Sequence, residues 1–152
     1  MKENEREWLK GHATLGAATK WTAEEIRLVT ELGYGLAEQG RIAEAITLFE
    51  GLAALAPATV YFQSALGALW LRVDASEKAL DYLNQVLQVE PRDLISLVNR
   101  GEVFLRLGEK AAASRDFQSA INLGKKKGNS TVEEKSLTRA RALLASIEKQ
   151  FI

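Results

Sequence analysis

The chain has 152 residues, enough for one domain with a core of its own. Its 20 Lys and Arg balance 20 Asp and Glu, which excludes the basic excess that a dedicated nucleic-acid binder needs to displace counterions from phosphates. Hydrophobic residues make up 47%, too many for a disordered chain, and the absence of cysteine excludes disulfides, thiolate metal sites and thiol nucleophiles.

Residues 1–25 form an N-terminal extension. Its start carries Lys2, Glu3, Glu5, Arg6, Glu7 and Lys10, with none of the apolar stretch of a secretory leader. No run in the chain approaches the ~18 apolar residues of a membrane span. The expectation is a cytoplasmic protein without direct membrane insertion. The one histidine, His12, has no Asp, Ser or Cys constellation beside it, so a structural surface role is expected, with no catalysis and no metal. Trp8, Leu9, Leu15 and Trp21 are the large apolar residues here. They are expected either to pack on the helices that follow or to form a dimer contact with a second copy.

Thr22 with Glu25 reads as a capping box that opens a helix. Ile26, Val29, Leu32 and Leu36 then recur at three- and four-residue spacing, one apolar helical face. Gly40 marks the turn, where a left-handed backbone is often wanted. Ile42, Ala45, Ile46, Phe49 and Leu52 mark a second helix, and Pro57 falls near its end.

The same pattern returns 34 residues on, and again after another 34. Gly33, Gly67 and Gly101 keep that interval, as do Ala45, Ala79 and Ala113, then Phe49, Leu83 and Phe117, then Leu36, Trp70 and Phe104. Small residues suit a close approach of two helices, and large ones fill the space beside them. The units are 26–59, 60–93 and 94–127. Arg100 breaks the column begun by Leu32 and Leu66, Asp74 replaces the turn glycine, and Lys125 stands where Pro57 and Pro91 have counterparts. The lost proline fits an array that ends there. Residues 128–152 read as a loop and one capping helix, Thr131–Phe151, with Leu137, Ala140, Leu144, Ile147 and Phe151 inward. Ser130 with Glu133, or Thr131 with Glu134, is its candidate capping box. Three such hairpins meet the minimum for a stack in which no unit buries its own apolar face.

Little in the sequence suggests catalysis. Glu24-Glu25 and Glu133-Glu134 fall in first helical turns, where carboxylates favour the helix dipole. Gly124-Lys125-Lys126-Lys127-Gly128 lacks the phosphate-loop order, in which a lysine follows the second glycine and the loop follows a strand; it reads as a solvated connector. Charge is uneven, with 5 basic and 9 acidic residues over 26–93 against 11 and 6 over 94–152; this reads as a solvated surface with some asymmetry, the alternative being a dipolar molecule whose ends steer different partners or self-associate. No enzyme activity and no cofactor are expected.

The 34-residue pattern resembles the tetratricopeptide repeat (TPR) family over most of the chain. That resemblance implies an all-α fold: a right-handed superhelical stack of three helix-turn-helix hairpins with an N-terminal extension and a C-terminal capping helix. It also implies a concave groove lined by the first helix of each hairpin. The positions it points to are Arg27, Thr30, Tyr34 and Ala37, then Tyr61, Ser64, Ala65, Ala68 and Leu71, then Ile95, Val98, Asn99, Glu102 and Leu105. Mostly apolar, small or aromatic, they suit an extended peptide of a client protein. Each well-buried aliphatic anchor would contribute roughly 1.5–3 kcal/mol, so three would give micromolar binding after ordering costs. Family members that clamp a C-terminal carboxylate carry cations there; Thr30, Tyr34, Ala65, Ile95 and Asn99 supply none.

A narrower resemblance lies in Thr14–Gly16 ahead of Trp21–Glu25, in Val60–Ala68 and in Gly101–Glu109. These segments are similar to the class II, three-repeat translocator chaperones of bacterial type III secretion. The resemblance implies a cytoplasmic chaperone that masks an aggregation-prone, membrane-active client and self-associates through its N-terminal segment. Masking by equilibrium binding needs no nucleotide. The alternative is a scaffold or adaptor that assembles folded proteins through its outer surface.

Overall fold

Caps and turn residues set the helix boundaries in the computed structural model, which describes residues 21–126 and 128–149. Among the described residues seven helices follow one another: α1 (Ala23–Glu38), α2 (Ile42–Leu55), α3 (Val60–Arg72), α4 (Ser76–Val89), α5 (Leu94–Arg106), α6 (Lys110–Leu123) and α7 (Thr131–Lys149). No strand occurs among the described residues. At the start of α1 the Glu25 N–H donates to Thr22 Oγ1 (3.1 Å) while the Thr22 N–H donates to the Glu25 carboxylate (2.9 Å). Of the two boxes considered for α7, Ser130 with Glu133 is the one that forms, at 3.0 and 3.1 Å.

The three hairpin turns share one geometry. Gly40, Asp74 and Gly108 have φ of 79°, 61° and 81°, so Asp74 takes the left-handed conformation that a short polar side chain tolerates. One residue later, the N–H groups of Arg41, Ala75 and Glu109 reach back to the carbonyls of Leu36, Trp70 and Phe104 at 2.9, 3.0 and 2.8 Å. These bonds satisfy helix-end carbonyls that would otherwise be orphaned.

The repeat columns meet in space. A methyl group added to Gly33 would lie 2.7 Å from the Phe49 ring, one on Gly67 2.6 Å from Leu83, and one on Gly101 2.6 Å from Phe117. Ala45, Ala79 and Ala113 are fully buried beside them. Gly124 meets Leu137 in the same way, which docks the end of α6 on α7. Among the described residues three clusters make up the core: Phe49, Leu52, Phe62 and Leu66 first, then Leu71, Ala79, Leu83 and Val103, then Val98, Phe117, Leu137, Ala140 and Ile147.

Trp21 is buried in the first of these clusters. It shares that cluster with residues of the first two hairpins. Trp8, Leu9, Leu15, His12 and Phe151 lie outside the described residues. Trp70 is half-buried between the first two clusters, with the Lys78 ammonium 4.3 Å above its ring.

The break at Arg100 has a physical cause. Its guanidinium donates twice to the buried Asp116 carboxylate, at 2.7 and 2.9 Å, and once to Asn84, at 3.1 Å. One side chain thus ties α4, α5 and α6. No described helix is long and apolar enough to cross a membrane.

Candidate peptide-binding groove

Side chains of α1, α3 and α5 line a concavity of about 550 Å³, joined by Phe49 of α2 and by Ser130 and Val132 at the start of α7. Of the expected groove residues, Tyr34, Ala37, Tyr61, Ser64, Ala65, Ala68, Ile95 and Asn99 come together there. The others do not. Leu71 and Val98 are buried core residues, because their helix faces turn toward the neighbouring helices. Arg27 lies exposed and pairs with Glu24 and Glu31 of its own helix. The Thr30 hydroxyl is spent on the Ile26 carbonyl at 2.7 Å. Glu102 is held by Arg106 (3.1 Å) and Arg139 (3.2 Å), and Leu105 packs half-buried on the last cluster.

Aromatic rings form one wall. Tyr34 meets Phe49 edge-on with centroids 5.2 Å apart, and Tyr61 meets Phe62 at 5.7 Å. The Tyr34 and Tyr61 hydroxyls hydrogen-bond to each other, although 40% and 49% of these residues remain exposed. Partial burial, and then the bond to Tyr61, push the Tyr34 phenol well above the usual tyrosine range.

Polar groups are few. Ser64 Oγ is 2.9 Å from Ser96 Oγ, which donates to the Asp93 carboxylate at 2.6 Å. A serine hydroxyl at the centre of this chain lacks the basicity of an imidazole. Ser64 therefore gains orientation, not nucleophilicity. Asn99 accepts from Arg139 of α7 at 2.8 Å. Arg72 lines the cavity and donates to the Ala37 carbonyl at 3.3 Å. Its counterpart one repeat on, Arg106, donates to the Leu71 carbonyl at 2.9 Å.

Sequence reasoning missed Phe49, Leu69, Arg72, Ser130 and Val132. The spacing of Arg72 and Arg106 was a usable signal, since they share the 34-residue interval. Ser130 and Val132 carry no repeat signal, because they belong to the segment beyond the array. Among the described residues no group of His, Cys, Asp or Glu is placed to hold a metal ion. The cavity has the mostly apolar lining with a few placed polar groups that is common among ligand sites.

No family model matches the sequence, and no curated protein matches it. Solved structures do match in fold. A type III secretion complex from Aeromonas hydrophila has a TM-score of 0.77 at 21% identity, covering 98% of this chain and 97% of that one. The translocator chaperone SycD of Yersinia enterocolitica scores 0.76 at 19%, covering 85% and 96%. PcrH of Pseudomonas aeruginosa, in complex with the chaperone binding region of PopD, scores 0.76 at 20%, covering 88% and 98%. The chain has the TPR fold of these chaperones. Its hairpins stack as theirs do, in an all-α superhelix.

Proposed function

We propose that this protein is a non-catalytic chaperone that holds an extended segment of a translocator-like client in the α1–α3–α5 concavity, in the cytoplasm. One observation carries this reading: a single open cavity, lined mainly by Tyr34, Ala37, Tyr61, Ala65, Ala68, Leu69 and Ile95, runs across all three hairpins. An apolar trough with two exposed tyrosines can strip water from aliphatic side chains of a client, and that burial drives binding without nucleotide. The fold neighbours support the same use: PcrH was crystallised with the chaperone binding region of PopD, and SycD with a peptide of the translocator YopD.

Ala68→Trp tests the reading, because it fills the cavity from a half-buried position. Peptides enriched on the wild-type chain from a random display library should bind this variant at least about tenfold more weakly, the loss of about one anchor, with helicity unchanged by circular dichroism. Undiminished binding would remove the concavity as the site. Tyr61→Ala is a milder form of the same test. Val98→Asp is unsuitable, since Val98 is fully buried and the variant would measure folding.

A further inference from the structure

Two polar groups of the concavity, Ser64 and Asn99, have hydrogen-bonding directions fixed by residues that lie outside it. The Asp93 carboxylate can only accept, so the single hydroxyl proton of Ser96 is committed to it at 2.6 Å. In its 2.9 Å contact with Ser64, Ser96 is therefore the acceptor and Ser64 the donor. Ser96 is fully buried, so solvent does not reorient it. Ser64, on the cavity wall, is left with lone pairs only.

Asn99 has the opposite polarity. A guanidinium only donates, so the Asn99 atom 2.8 Å from Arg139 Nη2 is the amide oxygen. The amide nitrogen, with two N–H groups, is the end left over. Asn99 is 5% exposed and lines the cavity, and among the described residues no group accepts from Nδ2. Nδ2 opens to the cavity, so water serves it until an occupant's carbonyl takes that place.

We propose that these two side chains read the main chain of the bound segment: Ser64 accepts from one amide N–H and Asn99 donates to one carbonyl. The proposal rests on the peptide-binding reading above and makes it more specific. The residue whose nitrogen faces Ser64 is not proline, because proline has no N–H to give. Ser96 and Arg139 act as positioning residues that hold the two directions without touching the occupant.

The test uses the full chain and the strongest display-selected peptide whose binding Ala68→Trp weakens. That peptide is synthesised with each backbone amide replaced in turn by an ester, which removes an N–H with little change of shape. One replacement should lower affinity about three- to tenfold, the net worth of one hydrogen bond, and this loss should vanish in Ser64→Ala. It should also shrink in Ser96→Ala, where the released Ser64 hydroxyl can turn and donate to the ester oxygen. Asn99→Asp keeps the Arg139 contact, removes the donor and should weaken the parent peptide about tenfold. If Ser96→Ala does not fold, the comparison with Ser64→Ala decides. Ester losses of equal size in wild type and Ser64→Ala, or no ester loss at any position, overturn the proposal and leave the groove standing. A library that yields no peptide sensitive to Ala68→Trp overturns the groove reading as well.

Discussion

Around the first hairpin, contact is made by rings: Tyr34 on Phe49, Phe49 on Phe62, Tyr61 on Phe62. The ion pairs there, Arg27 with Glu24 and Glu31 and Arg41 with Glu44, lie in solvent. The third hairpin and α7 are joined differently. Arg100 holds buried Asp116, Ser96 holds Asp93, and Arg139 reaches both Asn99 and Glu102. Ring contacts tolerate small shifts, whereas hydrogen bonds weaken steeply off their geometry. The concavity spans both ends, so one wall offers area and the other offers direction.

Breaking the polar end should cost the most. Arg100→Met leaves Asp116 buried beside an apolar chain and should lower unfolding stability by about 3–5 kcal/mol, measured by urea denaturation. Adding Asp116→Leu should restore much of the loss. A single variant as stable as wild type would mean the ion pair does not anchor that end.

The close helix approaches are the next way to sharpen the contrast. Gly67→Ala drives a methyl into Leu83 and should cost about 1–3 kcal/mol. Gly35→Ala, in α1 with nothing within 4 Å of the added carbon, should gain roughly 0.5–1 kcal/mol. Equal signs in thermal melts would contradict the packing described for the glycine column.

The smallest effect belongs to the aromatic end. Tyr34 has a raised folded-state pKa, so the folded chain keeps a proton that the unfolded chain loses above about pH 10. Stability should fall as pH climbs past that value, and below it Tyr34 should add no pH dependence, since it is protonated in both states. Tyr34→Phe should flatten this alkaline limb in melts taken across that range; an unchanged slope would show that Tyr34 does not couple to folding.

Much of this was legible in the residues. The columns at Gly33, Ala45 and Phe49 and their counterparts are the helix contacts, because a repeat must place the same small and large side chains at the same crossing. The box at Thr22, the turn at Gly40 and the glycine substitute at Asp74 follow from local backbone chemistry. The groove was less legible. Leu71 and Val98 fit the inner-face pattern but serve the core, because which side of α3 and α5 stays open depends on how the next hairpin is rotated. Val132 gave no signal, since only the placement of α7 brings it to the cavity.

The order of residues settles the helices, their turns and the hairpin crossings, since those depend on neighbours within a few turns of chain. Which carbonyls Arg72 and Arg106 reach, which way the hydroxyl chain from Asp93 to Ser64 points, and which end of Asn99 is left to the cavity were decided only by folding. Those contacts join residues 32 to 40 positions apart or depend on one that does, and a directional bond exists only once both partners have been carried into place.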